Sequence, residues 1–172
     1  MKTYSNTLGA LLFLILLTGT RAHTPASEIH VGAFSQAARK KGDDYPARIY
    51  VTFDYDPSRL SLGSRIKYKA LRVLGYKDIP LRALNYIWAN RAPVGTMVDN
   101  PYTKWVTMIA VQSGAEQANT WHLEMRNLYE DYKAAFGEEP GAITGIAVMT
   151  DTDNTGESAM AYYGDITLRS AP

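Results

Sequence analysis

Apolar and polar residues alternate along several short stretches of the chain, which is the pattern of half-buried β-strands. The alternation predicts six strands, over residues 47–54, 83–90, 104–112, 119–126, 142–150 and 159–168. The third stretch is almost continuously apolar, as is typical of a central strand that is covered on both faces. Turns rich in Gly, Pro, Asn and Ser separate several of these strands. The pattern therefore predicts a mostly β fold, an antiparallel β-sandwich or jelly roll with two helical insertions.

The phase of the alternation also predicts which side chains enter the core. In the fourth stretch, Trp121, Leu123 and Met125 share one face, and His122 lies on the opposite face. Because burial of large apolar side chains is the main stabilising contribution to a fold, we expect the Trp121 face to be the inner one. His122 is then expected to face solvent.

A capped helical pattern follows the fourth strand over residues 127–136. Asn127 is the predicted N-cap, and Glu130 three residues later completes an arrangement that resembles a capping box. Gly137 and Pro140 then predict the end of the helix.

A second helical pattern covers Ser58–Leu74 and carries a marked positive charge. Between Ser58 and Lys77 the chain has six basic residues and no acidic residue. This charge favours one of two interpretations: docking on an anionic partner or membrane surface, or a solvated helix face over an open end of the sheet. The predicted apolar stripe of this helix consists of Leu62, Ile66, Ala70, Val73 and Leu74.

The first 22 residues have the layout of a secretory signal peptide. Leu8–Gly19 is an apolar run that is too short for a transmembrane helix, and the small residues Thr20 and Ala22 follow it. We therefore expect cleavage after Ala22 and export to the periplasm or the extracellular space, with no transmembrane segment in the mature chain. A polar N-terminal segment over 23–41 and a single β-sandwich domain over 42–170 would then remain.

Composition removes several kinds of chemistry. The 172-residue chain has no Cys, which excludes disulfides, thiolate metal sites and Cys nucleophiles. Its formal net charge of +1 gives no support to nucleic-acid binding. No nucleophile elbow accompanies the three His residues. The sequence therefore predicts no catalytic residue of a familiar kind.

The sharpest polar motif is the acidic segment 151–157, between the last two predicted strands. Hard cations such as Ca²⁺ bind several oxygen ligands from a short turning segment, so Asp151 and Asp153 are candidate calcium ligands. An EF-hand is excluded, because the twelfth position is Tyr162 rather than Glu. The alternative is a β-turn whose Asp and Asn side chains bond to the local backbone.

Aromatic and amide side chains suggest a site for a sugar. Exposed Trp and Tyr rings can stack on sugar rings, while Asp and Asn side chains bond to hydroxyl groups. The alternative is that these aromatic residues belong to the core, as aromatic residues in strands commonly do. The candidate ligand-binding residues are Asn85, Trp88, Asn90, Asp151, Asp153, Asn154 and Tyr163.

Several stretches of the chain resemble a known family. They include GDDYPARIYVTFD (42–54), LNYIWANRAPVGT (84–96), NPYTKWVTMIAVQSG (100–114), YEDYKAAFGEEP (129–140) and ITGIAVMTDTDNTGESAMAYYGDI (143–166). Together they resemble a bacterial family of secreted proteins, domain-of-unknown-function family 3047. The resemblance implies an exported β-sandwich, similar in outline to galactose-binding and carbohydrate-binding modules, with no assigned activity. It also implies a member shortened at its N-terminus, because the family has additional strands before residue 42.

Three functions are consistent with these patterns. The favoured one is an exported, non-catalytic binding module for carbohydrate or another cell-envelope glycan. A small glycan hydrolase is the first alternative, since paired carboxylates between residues 151 and 165 could act as acid and base. The second alternative is a structural envelope protein with no small ligand.

Overall fold

The computed structural model describes residues 44–76, 79–152 and 159–170, together with the backbone of 11–19. The strands in these ranges are β1 (Leu11–Gly19), β2 (Arg48–Phe53), β3 (Ala83–Ala89), β4 (Met97–Asn100), β5 (Thr103–Ser113), β6 (Trp121–Asn127), β7 (Ile143–Met149), β8 (Ala161–Tyr163) and β9 (Thr167–Ser170). The helices are α1 (Leu62–Val73) and α2 (Leu128–Phe136). The prediction of a mostly β protein with two helices is confirmed.

A five-stranded sheet forms the larger part of the fold, in the order β4-β5-β3-β2-β7. Its strands pair antiparallel except β3 and β5, which run parallel, so the sheet is mixed. Residues 105–111 of β5 are buried, which confirms the prediction of a central strand. Four residues of β4 were not predicted, because a strand this short gives almost no alternation to detect.

The smaller sheet has β1 at its centre, between β6 on one side and β8 and β9 on the other. All three neighbours pair with β1 antiparallel. This strand comes from the apolar run that we interpret as the hydrophobic region of a signal peptide. A continuous apolar run fits a buried strand as well as a signal peptide, and its pattern alone does not separate the two.

The main core lies on one face of the five-stranded sheet. Side chains from β2 and β3 that the alternation assigns to one face, among them Val51 and Tyr86, are buried there. Leu128 and Tyr132 of α2 pack against them, as do Tyr163 of β8 and Ile166, which lies between β8 and β9. The apolar faces of the alternation in β2 and β3 therefore both turn toward this core.

The predicted inward face of β6 is wrong. Trp121 is 57% exposed, and Leu123 and Met125 are exposed to a similar degree. The opposite face turns inward instead: the His122 ring meets the Trp88 ring edge-to-face at 5.4 Å between centroids. The polar residues on this inner face can be buried because each has a partner, with Glu124 accepting a hydrogen bond from Gln112 and Arg126 pairing with Asp131.

Helix α1 begins later than predicted and packs through another face. A 3-10 turn covers Pro57–Arg59, and the Ser61 hydroxyl accepts the hydrogen bond that caps the helix. The side of the helix with Tyr68 and Leu71 faces Trp105, and the predicted stripe is exposed. Aromatic Tyr68 competes successfully for the packing position because it contributes more apolar area than the aliphatic residues of the stripe.

The boundaries of α2 agree with the prediction. The Asn127 side chain accepts hydrogen bonds from the backbone N–H groups of Tyr129 and Glu130. Gly137 ends the helix in the left-handed conformation, with φ of 68°.

The last predicted strand is divided in two. Residues 164–166 leave the sheet between β8 and β9, so the expected continuous strand over 159–168 is wrong. Gly164 and Asp165 at this point are poor strand formers, which is consistent with the break.

Candidate ligand-binding site

A buried arginine at the start of β2 organises the most polar part of the fold. The Arg48 guanidinium donates a hydrogen bond of 2.9 Å to Oδ2 of Asp151 and another, of 3.3 Å, to the Tyr50 hydroxyl. Its central carbon lies 4.7 Å from the centre of the Tyr45 ring, which is the geometry of a cation–π contact. A buried charge requires such partners, because desolvation without them would be very costly. We call Arg48, Tyr50, Asn85, Asp151 and Tyr163 the Arg48 cluster.

Tyr163 connects this cluster to the smaller sheet. Its hydroxyl accepts a hydrogen bond of 3.2 Å from the backbone N–H of Arg48 and donates one of 2.8 Å to the Met149 carbonyl. Arg48 and Met149 are register partners at the end of the β2–β7 ladder. A single phenol from β8 therefore fixes the end of two strands in the other sheet.

Asn85 supplies the unusual feature of the cluster. It is the register partner of Tyr50, so the two side chains leave neighbouring strands on the same face of the sheet. Asn85 is fully buried, and neither its amide nitrogen nor its amide oxygen has a hydrogen-bond partner among the described residues. An unpaired buried polar group costs about 1–3 kcal/mol. Both atoms therefore retain unused hydrogen-bonding capacity inside the fold.

The two other candidates in β3 and just after it lie elsewhere. Trp88 is buried in the main core on the opposite face of the sheet, and its indole N–H donates a 2.8 Å hydrogen bond to the Gly114 carbonyl. The structure does not place this ring at an open surface where a sugar could stack. The Asn90 amide donates a 3.4 Å hydrogen bond to the Asp44 carbonyl, which holds the segment leading into β2.

The acidic loop is described only at its start. Asp153 and Asn154 lie outside the described residues, as does Glu157. Asp151 is ion-paired with Arg48, whose positive charge would repel a cation at that carboxylate. In the part of the chain that the structure describes, no group of three or more His, Cys, Asp or Glu side chains is placed to hold a metal ion. The calcium site at Asp151 and Asp153 stays a prediction.

The structure therefore places Asp151 on the Arg48 side chain, the Tyr163 hydroxyl on the Arg48 backbone N–H and Asn85 opposite Tyr50, and the sequence analysis did not select Arg48. Arg48 occupies a polar position in an alternating strand, and that position was its only local signal. The Asp151 carboxylate lies 103 positions away in the sequence, and the pairing of β2 with β7 decides that the two residues meet. Local pattern carries no information on such pairing.

A second polar network, formed by Tyr86, Asp131 and Arg126, lies on the core face of the sheet. The Tyr86 hydroxyl donates a 2.7 Å hydrogen bond to Asp131, and Arg126 makes two further hydrogen bonds to the same carboxylate. Burial, followed by the charge of Asp131, raises the pKa of Tyr86 well above its ordinary value. These three residues join β3, β6 and α2, so the network connects elements of the fold.

The fold and the site together define a mostly β protein with a mixed five-stranded sheet, two helices and a polar cluster at one end of β2. The chain belongs to the family described as "Protein of unknown function (DUF3047)", whose family model matches residues 30–167. This match confirms the resemblance found in the sequence. Comparison with curated proteins and with solved structures finds no match.

Neither of the helices in the described part of the chain is long and apolar enough to cross a bilayer.

Proposed function

We propose that the protein is an exported, non-catalytic binding module for carbohydrate or another cell-envelope glycan, built as a galactose-binding-like β-sandwich. The observation that carries this proposal is the convergence of Asp151 and Tyr163 on Arg48. Asp151 was selected from the sequence as a group that bonds to sugar hydroxyls, and Tyr163 as a ring that stacks on a sugar. In the fold Asp151 contacts the Arg48 side chain, and the Tyr163 hydroxyl contacts the Arg48 backbone N–H.

The chemistry of the Arg48 cluster suits a ligand with several hydroxyl groups. A hydroxyl both donates and accepts hydrogen bonds, so it needs acceptors and donors at fixed positions. Asp151 supplies partly exposed carboxylate oxygens. Arg48 and Asn85 lie buried behind them, where Arg48 holds the carboxylate and Asn85 retains one unpaired donor group and one unpaired acceptor. The partly exposed ring of Tyr50 adds apolar surface beside these groups. Because the charged pair is already formed, a ligand would meet side chains that are held in position.

The proposal of export depends on the apolar run and the small residues that precede His23. Exported proteins encounter the glycans of the cell envelope, so the proposed compartment and the proposed ligand class agree. The glycan itself is proposed only by class, as a polymer or oligomer rich in hydroxyl groups.

The test measures binding to insoluble peptidoglycan and to a panel of soluble polysaccharides. Asp151→Asn preserves the shape of the side chain and removes its charge, so we expect at least about tenfold weaker binding. Asp165→Asn is the matched control, because Asp165 is exposed and has no hydrogen bond within the described residues, and its binding should equal that of the wild type. The supernatant should contain no newly released sugar, whereas release that Asp151→Asn abolishes would indicate the hydrolase.

A second variant separates loss of binding from loss of folding. Asp151→Asn weakens an ion pair with a buried guanidinium, so it could lower stability. Tyr50→Phe removes one phenol oxygen from the Arg48 cluster and retains the ring. We expect weaker glycan binding with a smaller drop in the thermal midpoint than Asp151→Asn causes, because the ion pair is retained. Equal binding by the wild type, Asp151→Asn and Tyr50→Phe, or no binding to any glycan, would contradict the proposal.

A further inference from the structure

Helix α1 has apolar side chains on two sides, and only one of these sides is used inside the protein. Tyr68 and Leu71 pack on the domain, with the Tyr68 and Trp105 rings edge-to-face at 6.4 Å. On the other side Leu62, Ile66 and Val73 are 77%, 69% and 87% exposed. These three residues are spaced i, i+4 and i+11, which places them in one narrow stripe along the helix. We call this stripe the outer face of α1.

The helix is also strongly basic. Residues 58–76 contain five basic side chains and no acidic one. One of them, Arg59, forms an ion pair with Glu138, a carboxylate that it shares with Arg82. The other four are Arg65, Lys67, Lys69 and Arg72. Among the described residues, none of these four has an acidic partner within ion-pair distance. The ammonium group of Lys67 bonds to the Tyr102 carbonyl, and Arg72 bonds to the Tyr68 hydroxyl.

The positions of the charges match the position of the stripe. By helical geometry Lys69 lies beside Ile66 and Val73, and Arg65 lies next in the same direction around the helix. Lys67 instead lies toward the packed side of the helix, where its ammonium group is 5.4 Å from the centre of the Trp105 ring. Long basic side chains beside an apolar stripe, such as that of Lys69, can lay their methylene groups along it and extend the charge to a neighbouring phosphate. Exposed Leu74 and Tyr76 continue the apolar surface beyond the C-terminal end of the helix.

We infer that the outer face of α1 binds an anionic phospholipid surface, with the helix axis parallel to the membrane plane. An exposed aliphatic stripe bordered by cations is the arrangement that amphipathic helices use at bilayer interfaces. Charge alone would suit an acidic protein as well. The three large aliphatic side chains decide for the membrane, because an acidic surface would leave them in water, whereas a bilayer takes them up. This surface is distinct from the Arg48 cluster and does not depend on the proposed glycan ligand.

Co-sedimentation with lipid vesicles tests this inference on the full chain. We expect binding to vesicles of phosphatidylcholine and phosphatidylglycerol in equal parts, and little binding to vesicles of phosphatidylcholine alone. Each basic residue near an anionic surface contributes about 1 kcal/mol, so Arg65→Glu with Lys69→Glu should weaken binding at least about tenfold. Ile66→Asn should also weaken it, without a change in charge. Added salt should weaken the binding of the wild type, because it screens the lipid charge.

Three controls make the outcome decisive. Arg91→Glu combined with Lys104→Glu produces the same change in net charge at two exposed residues outside α1, and should weaken binding less than the α1 pair does. Circular dichroism should show each variant folded, since Ile66 and Lys69 are exposed. Asp151→Asn should leave vesicle binding unchanged, which separates this inference from the proposed function. Equal binding to neutral vesicles, equal loss in both charge pairs, or no sedimentation would overturn the inference, and the last result would favour an acidic protein as the partner.

Discussion

At the scale of single residues, one glycine is required by a close approach of two backbone segments. The Asp54 backbone N–H donates a 2.8 Å hydrogen bond to the Ala142 carbonyl, next to Gly141. A Cβ atom at Gly141 would collide with the Asp54 carbonyl oxygen. Gly141→Ala should therefore lower the free energy of unfolding by about 1–3 kcal/mol, as overpacking typically does.

The matched control for this prediction is Gly63 in helix α1. No atom lies within 4 Å of the position that its Cβ would take. Gly63→Ala should leave the stability unchanged or raise it by up to about 1 kcal/mol, because Ala favours the helix. Urea unfolding midpoints of the two variants measure the difference. A Gly141→Ala variant as stable as the wild type would contradict the backbone arrangement at β7.

Two tryptophans, Trp88 in β3 and Trp121 in β6, provide a second test at the scale of single residues. Trp88 is buried and bonded to Gly114, so Trp88→Ala should cost about 3–5 kcal/mol. Trp121 is mostly exposed, so Trp121→Ala should cost about 0.5 kcal/mol, as surface substitutions do. Denaturant midpoints in the reverse order would show that β6 turns its apolar face inward after all, since a shift of one residue exchanges the two faces of a strand.

At the scale of elements, the network of Tyr86, Asp131 and Arg126 gives the protein a dependence on alkaline pH. The pKa of Tyr86 is raised well above its ordinary value by burial, and burial also raises the pKa of Tyr132, to about 12. Above pH of about 10 the unfolded chain loses these protons while the folded protein keeps them. The unfolded state then binds fewer protons than the folded state, so stability falls as pH rises.

Tyr86→Phe should reduce this loss of stability. The variant has one titrating proton fewer than the wild type. Between pH of about 10 and the pKa of Tyr86 in the folded protein, its free energy of unfolding should therefore fall less steeply, by about 1.4 kcal/mol per pH unit. Below pH 10 the variant should be somewhat less stable than the wild type, because it lacks the hydrogen bond to Asp131. Tyr76→Phe, at an exposed position, serves as the control. Identical slopes for the wild type and Tyr86→Phe would contradict the buried position of this phenol.

Residues 11–19 form strand β1 in the structure and also belong to the predicted signal peptide. An experiment on a chain without these residues distinguishes the two interpretations. A chain that begins at His23 lacks the central partner of β6, β8 and β9. In such a chain we expect the amide hydrogens of β6 to exchange rapidly, while those of β2 and β3 stay protected by their own ladder. Protection of β6 equal to that in the full chain would show that another segment takes the place of β1.

The mass of the protein isolated from its native host decides which form exists. The proposal of export predicts a chain that begins at His23. Recovery of a chain that still contains residues 11–19 would contradict cleavage and would support β1 as a permanent part of the smaller sheet.

At the scale of the whole molecule, the pattern of the sequence predicted most strands but not how they meet. The alternation in β2 and β3, and the continuous apolar run of β5, were sufficient to predict these strands. It failed for β6, where partners on other elements, such as Asp131 for Arg126, allow the polar face to turn inward. It failed for α1, which has apolar residues on two sides. In both cases long-range contacts decide the orientation, and a local pattern does not contain them.

The candidate site, like the fold, could be predicted only in part from the sequence. Asp151 was identified as a loop carboxylate that can bond to hydroxyls, and Tyr163 as a strand residue whose ring can stack on a sugar. Arg48, the residue that they share, was missed, since only the β2–β7 pairing and the return of β8 bring the three together. Trp88 was selected by residue type, but its side of the strand belongs to the core.

The central claim is that the Arg48 cluster is where the protein binds a glycan, and chemical-shift mapping tests it most directly. Backbone and side-chain amide spectra of the labelled protein are recorded during titration with soluble peptidoglycan fragments and with oligosaccharides of the panel that binds. The account predicts saturable shifts of the Asn85 side-chain amide and of the backbone amides of Arg48, Tyr50, Asp151 and Tyr163, and their loss in Tyr50→Phe. Saturable shifts confined to another surface, or no shifts with any glycan, would contradict it.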